Sequence, residues 1–124
     1  MPYREVLNKL LETKIILGCL IFTPSGDIWW HTGNFPQSGN KPLDGYFLIS
    51  EWVTYPQATE VAGVSYISFV NSYPDYWILT STNDVGYLIL QRAPNKYLFL
   101  CYLDEDQNPL IIQKEIESMA LLFC

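Results

Sequence analysis

Apolar residues recur at helical spacing from the start of the chain. Tyr3, Val6, Leu7, Leu10 and Leu11 form one stripe and Pro2 suits a first helical turn, so residues 2–14 are predicted helical. The pattern then changes. Ile15 to Phe22 is an unbroken apolar run rich in β-branched residues, as in a strand covered on both faces. Thr23-Pro24-Ser25-Gly26 has the composition of a type I turn, and Asp27 to Thr32 returns as a second, antiparallel strand. Successive strand side chains alternate, so Trp29 and Trp30 are expected on opposite faces of the sheet.

A stretch rich in Gly, Pro, Ser and Asn follows from Gly33 to Pro42. Asp44 is placed to cap a helix over residues 45–55, with Tyr46, Ile49 and Val53 on one side and Pro56 closing it. Four strand-like runs come next: Val64 to Val70, Tyr76 to Thr80, Tyr87 to Gln91 and Tyr97 to Leu103. Their short connectors make them an antiparallel meander. Asn108-Pro109 is a cap followed by a first-turn proline. It opens a last helix to about Phe123, with Ile112, Ile116, Ala120 and Phe123 inward. The expected fold is α+β and a single domain, residues 1–124. It has one antiparallel sheet of about six strands, the N- and C-terminal helices on one face and a short helix on the other.

At 124 residues and 49% apolar composition, the chain is long enough for one real core and too apolar for disorder. A net charge of −6 argues against nucleic acid as a partner, because its recognition needs clustered cations. Cys19 and Cys101 lie in apolar runs and Cys124 ends the chain, which gives no disulfide framework and predicts buried free thiols. Residues 1–14 do not read as a signal peptide, and the run from Ile15 to Phe22 is too short to cross a bilayer. The expected setting is therefore reducing and cytoplasmic.

Catalytic patterns are sparse. His31 is the only histidine, and no nucleophile elbow, phosphate loop or dinucleotide fingerprint is present; the reading is a non-enzyme without cofactor or metal. Asp104-Glu105-Asp106 matches no calcium-loop spacing and reads as a solvated turn before the last helix. Arg92, Lys96 and Lys114 carry most of the positive charge beyond residue 41, and Arg92 and Lys96 flank one short turn. Tyr3, Trp29, Trp30 and Phe123 are aromatics of the kind that line grooves for proline-rich segments.

With these residues in view, the chain resembles profilin. "DIWWHTGNFP" matches a profilin segment of the form Val-Trp-Ala-x-Ser-x-Asn-Phe-Pro, with Trp29 on the tryptophan and Asn34-Phe35-Pro36 unaltered. Gly63-Val64-Ser65-Tyr66-Ile67 resembles the Gly-x-x-Tyr-hydrophobic strand. The strands from Tyr87 to Tyr102 and the helix with Ser118-Met119-Ala120 fall in register. The resemblance covers essentially the whole chain and is to a divergent profilin, archaeal in type.

It implies a monomeric, cytoskeleton-associated protein that binds monomeric actin and regulates its polymerisation, through Tyr87, Arg92, Lys96, Asn108, Gln113 and Lys114. Gln113 and Lys114 are expected to face outward from the last helix. It also implies a proline-rich-peptide groove between the terminal helices at Tyr3, Trp29 and Phe123, which puts Trp29 beside those helices near Tyr3 and Trp30 in the core of the opposite face. Two departures weigh against phosphoinositide binding. Thr80-Ser81-Thr82-Asn83-Asp84 replaces a glycine- and lysine-rich hairpin, and Gln91-Arg92 replaces a Lys-Lys pair. The alternative is a Roadblock/longin-type dimeric scaffold or small-GTPase regulator, with the same coarse pattern. A third reading, a small enzyme or ligand-binding module, would need a pocket lined by His31, Tyr66 or Trp77 with convergent polar groups.

Overall fold

The computed structural model describes residues 2–33, 43–82 and 86–123, without the side chains of Pro2 and Tyr3. Tyr3 as a groove residue, the Asn34-Phe35-Pro36 motif, the turn at Asn83 and Asp84 and the thiol of Cys124 lie outside the described residues.

Helix α1 (Pro2–Glu12) stops short of residue 14. Lys14 takes a left-handed conformation (φ 59°), and the N–H groups of Ile15 and Ile16 both turn back to the Leu10 carbonyl at 3.0 and 3.2 Å. Strands β1 (Gly18–Phe22) and β2 (Ile28–Gly33) follow, then α2 (Gly45–Trp52). After α2 come β3 (Ala58–Val61), β4 (Val64–Ser72), β5 (Tyr76–Ser81), β6 (Tyr87–Arg92), β7 (Leu98–Leu103) and α3 (Pro109–Ala120). Both predicted caps form. Asp44 Oδ1 accepts from Phe47 N at 3.0 Å, and Asn108 Oδ1 accepts from Leu110 N at 3.0 Å.

The sheet has seven strands, not six, in the order β2-β1-β7-β6-β5-β4-β3, with every pairing antiparallel. The additional strand is β3. It pairs with β4 through a two-residue turn in which Ala62 and Gly63 both have positive φ (51° and 82°), the conformation that a tight hairpin requires. β1 closes onto β7, so the chain's first and last strands are neighbours within the sheet.

Two cores sandwich the sheet. Under α1 and α3 lie Leu7, Leu10, Cys19, Ile21, Ile78, Ile89, Phe99, Cys101, Ile112, Ile116 and Phe123. On the opposite face α2 packs Leu48 and Trp52 against Phe22, Tyr66, Trp77, Leu79, Leu90 and Leu100. The buried stripe of α2 is therefore Gly45, Leu48 and Trp52, not the stripe of Tyr46, Ile49 and Val53. The i, i+4 pair Leu48 and Trp52 buries more apolar area. Gly45 lets the helix touch the β1–β2 turn, where a Cβ would run into the Gly26 carbonyl and the Phe22 ring. Tyr46 and Val53 remain exposed.

Candidate functional surfaces

The tandem tryptophans are positioned by a bulge. Ile21 pairs with Trp30 and Phe22 with Ile28, leaving Trp29 as an extra residue in β2. The inserted residue breaks the alternation. Trp30 packs against the core under α1 and α3, and Trp29 meets Phe123 of that same core. The expectation that Trp30 would enter the opposite core is thus corrected: both tryptophans serve the face of the terminal helices. Trp29 is 45% exposed. Its ring stands edge-on to Phe123 (centroids 5.5 Å apart) and Tyr97 (5.9 Å), and Tyr97 lies 5.4 Å from Phe123. Phe99 supports Phe123 from below at 5.3 Å. Nothing in the sequence marks Tyr97 as a partner of Trp29 and Phe123. It stands just before Leu98, which pairs with Phe22, and only the β1–β7 pairing brings it alongside β2.

A second region surrounds the start of α3. Tyr87, half-buried, sits opposite Leu103, from which the chain leads through Asn108 into the helix. Leu110 and Ile111 are exposed in the first turn, and Lys114 is exposed one turn on. From Tyr87 the register runs outward through Thr80 to Ile67, which is 49% exposed. A second register shift, between Ser68 and Val70, leaves Phe69 as an extra residue of β4, also half-exposed. The sheet here extends beyond α3, which lies over β6. Ile67 and Phe69 were read as ordinary strand residues, and their exposure depends on which strands the helices cover.

Gln113 does not face outward. It is 4% exposed, and its Nε2 donates to Gln91 Oε1 at 2.8 Å and to Glu117 at 3.3 Å. Gln91 in turn donates to the Asp75 and Arg92 carbonyls, each at 3.2 Å. The physical reason is that a glutamine on β6 creates a buried polar spot under α3, which a second glutamine satisfies.

The three cations divide: Arg92 and Lys96 stay together beside the β6–β7 turn, and Lys114 lies apart from them. Tyr87 and Arg92 are at opposite ends of β6, about 17 Å apart by strand rise. The Arg92 guanidinium lies 5.1 Å over the Trp52 ring and 5.7 Å from Tyr73, on the α2 side. Lys96, in the β6–β7 turn, shares with Arg92 a recess of about 390 Å³ that also includes Asp75 and Glu117. Lys114 instead borders a groove of about 520 Å³ between α1 and α3, with Val6, Lys9, Leu10 and Ile15.

Other candidates are also separated. His31 is exposed on edge strand β2, whereas Tyr66 and Trp77 are buried on β4 and β5, so these three do not form a pocket. Burial pushes the Tyr66 phenol up, with a further contribution from Tyr102; Tyr102 is itself raised by burial and by Asp104 and Glu105. Among the described residues no group of three or more His, Cys, Asp or Glu is placed to hold a metal ion, and no helix is long and apolar enough to cross a membrane.

Fold and surface together define a small α+β domain whose exposed chemistry is aromatic rings, aliphatic side chains and scattered charge. Its architecture is the profilin fold. The solved complex of LokiProfilin2 with rabbit actin superposes on it with a TM-score of 0.73, covering 94% of this chain and 91% of that one at 16% identity. Profilin IB of Acanthamoeba castellanii gives 0.73 over 99% and 96%, at 15% identity. The gliding protein mglB from Thermus thermophilus gives 0.55 over 97% and 84%, at 12% identity. No protein-family model matches the sequence, and no curated protein matches it.

Proposed function

We propose that this chain binds monomeric actin and thereby regulates its polymerisation. The observation that carries the reading is the profilin fold, shared over nearly the full chain with LokiProfilin2, whose solved structure is a complex with actin. The surface at the start of α3 supports it: Tyr87, Asn108 and Lys114 surround exposed Leu110 and Ile111, with Ile67 and Phe69 on the neighbouring strands. An exposed apolar patch with a polar rim is the composition of an interaction surface. Lys114 gives an acidic chain a local cation toward an acidic partner, and Arg92 and Lys96 add charge at the far end of β6. Gln113 contributes by holding α3 in place. Gel filtration with monomeric actin tests the reading: a one-to-one complex is expected, and separate elution at concentrations well above micromolar would reject it.

The corner of Trp29, Tyr97 and Phe123 favours a proline-rich segment as a second ligand, because the half-exposed Trp29 ring and the partly exposed Tyr97 ring, seated on buried Phe123, offer ridges for a polyproline helix. A Roadblock-type scaffold is the competing reading. The match to solved profilins, with a TM-score of 0.73 over nearly the full chain, favours the profilin one. Light scattering separates them, since a profilin-type chain is expected as a monomer and a Roadblock-type chain as a dimer.

A further inference from the structure

Cys19 and Cys101 are directly opposed across the β1–β7 pair within the sheet. Both are wholly buried under α1 and α3, and their Sγ atoms lie 3.7 Å apart, with both thiols free. Their hydrogen bonds are local: Cys101 S–H points at Cys19, and Cys19 S–H points at its own neighbour's carbonyl, Leu20, at 3.8 Å. Opposed residues of an antiparallel pair have Cβ atoms about 4.5–5.5 Å apart, and a disulfide needs about 3.5–4.5 Å. A small approach of two strands that are already paired therefore suffices for bonding.

We propose that Cys19 and Cys101 form a dithiol–disulfide couple, a redox-sensitive lock that ties β1 to β7, neighbours in the sheet but far apart along the chain. The oxidant is a low-molecular-weight disulfide. One cysteine loses its proton, and its thiolate attacks a sulfur of the small disulfide, expelling one small thiolate. The second cysteine, likewise deprotonated, attacks the first Sγ and expels the other small thiolate. The two protons end on the two leaving thiols, and the protein pair has given up two electrons. The lock closes a loop running from residue 19 to residue 101, which spans most of the fold and restricts the unfolded chain accordingly.

Burial governs the rate. The Cys19 thiol is pushed up by its hydrogen bond with Cys101 and by desolvation, so it is not a ready nucleophile in the closed fold. Exchange must wait for the layer of α1 and α3 to open, and the same burial then shields the disulfide from reductants.

The test uses the full chain with Cys124→Ser, so that these two thiols are alone. The protein is equilibrated in glutathione buffers of graded potential, both folded and after refolding from urea. Thiols are trapped by alkylation, the products mapped by mass spectrometry, and Tm measured. The expected product is an intramolecular Cys19–Cys101 disulfide, lighter by two hydrogens. Its Tm is higher than that of the dithiol form, and reduction reverses the rise. Sub-denaturing urea should speed its formation several-fold. Cys101→Ala should yield no internal disulfide. Recovery of free thiols or glutathione adducts alone, even after refolding in the most oxidising buffer, would overturn the proposal. So would a disulfide form that melts below the dithiol form.

Discussion

Replacing Gln113 by Leu tests the placement that most changed the reading of α3. The two side chains are similar in volume, so packing against β6 is largely kept. What is lost is the 2.8 Å hydrogen bond to Gln91 and the weaker bond to Glu117. Gln91 Oε1 is then left in a buried site without its Gln113 donor, which costs about 1–3 kcal/mol. A central value of about 2 kcal/mol corresponds to a fall in Tm of about 8 °C for a domain of this size, interpolating between small and larger domains. Urea denaturation should show a lower midpoint at unchanged m. A double-mutant cycle with Gln91→Leu should return a coupling of about 1 kcal/mol or more. Actin binding by the folded variant should match wild type, because the side chain does not reach the surface. A Gln113→Leu variant within about 0.5 kcal/mol of wild type, as expected for a surface position, would refute the buried network. Retained stability with lost actin binding would return Gln113 to the contact face.

Charge reversal at Lys114 should weaken actin binding about tenfold or more at low salt and leave the melting curve unchanged; loss of the fold instead would mean that Lys114 supports the α1–α3 groove. Trp29→Ala removes a ring that is 45% exposed, so about half of the 3–5 kcal/mol cost of a buried aromatic, or about 2 kcal/mol, is expected. It should also abolish any binding of a polyproline probe followed by tryptophan fluorescence. The Tyr66 phenol has its pKa raised on folding, so its contribution to stability is complete below the ordinary tyrosine value of about 10 and is lost as pH rises from there toward the folded value. Urea midpoints should therefore fall above about pH 10, and less steeply in Tyr66→Phe; an unchanged slope would assign the loss to other groups.

Local chemistry made much of this fold legible. The stripe of Val6, Leu7 and Leu10, the caps at Asp44 and Asn108, and the turn-punctuated meander from Val64 to Leu103 each encode their element within a few residues. What escaped depended on contacts distant in sequence or on a single inserted residue. Strand β3 is only four residues long, and its Ala62-Gly63 turn lacks the usual asparagine signal. The bulge at Trp29 defeats the two-residue period on which the assignment of Trp30 rested. Gln113 reads as polar and therefore outward; its burial follows from the facing Gln91, whose position under α3 only the assembled sheet defines. The aromatic corner was half visible. Trp29 and Phe123 were identifiable, while Tyr97 joins them only because β1 pairs with β7. Likewise, the three cations look like one patch along the sequence, but only Arg92 and Lys96 share a recess, whereas Lys114 borders the groove between α1 and α3.

The most direct measurement is calorimetric titration of monomeric actin with the purified chain, at low and at moderate salt, alongside Lys114→Glu. The account predicts saturable one-to-one binding that weakens with salt, and weaker binding by the Lys114→Glu variant. Absence of any binding heat at either salt, from a folded monomer whose melting curve is intact and with actin that remains competent to polymerise, would contradict it.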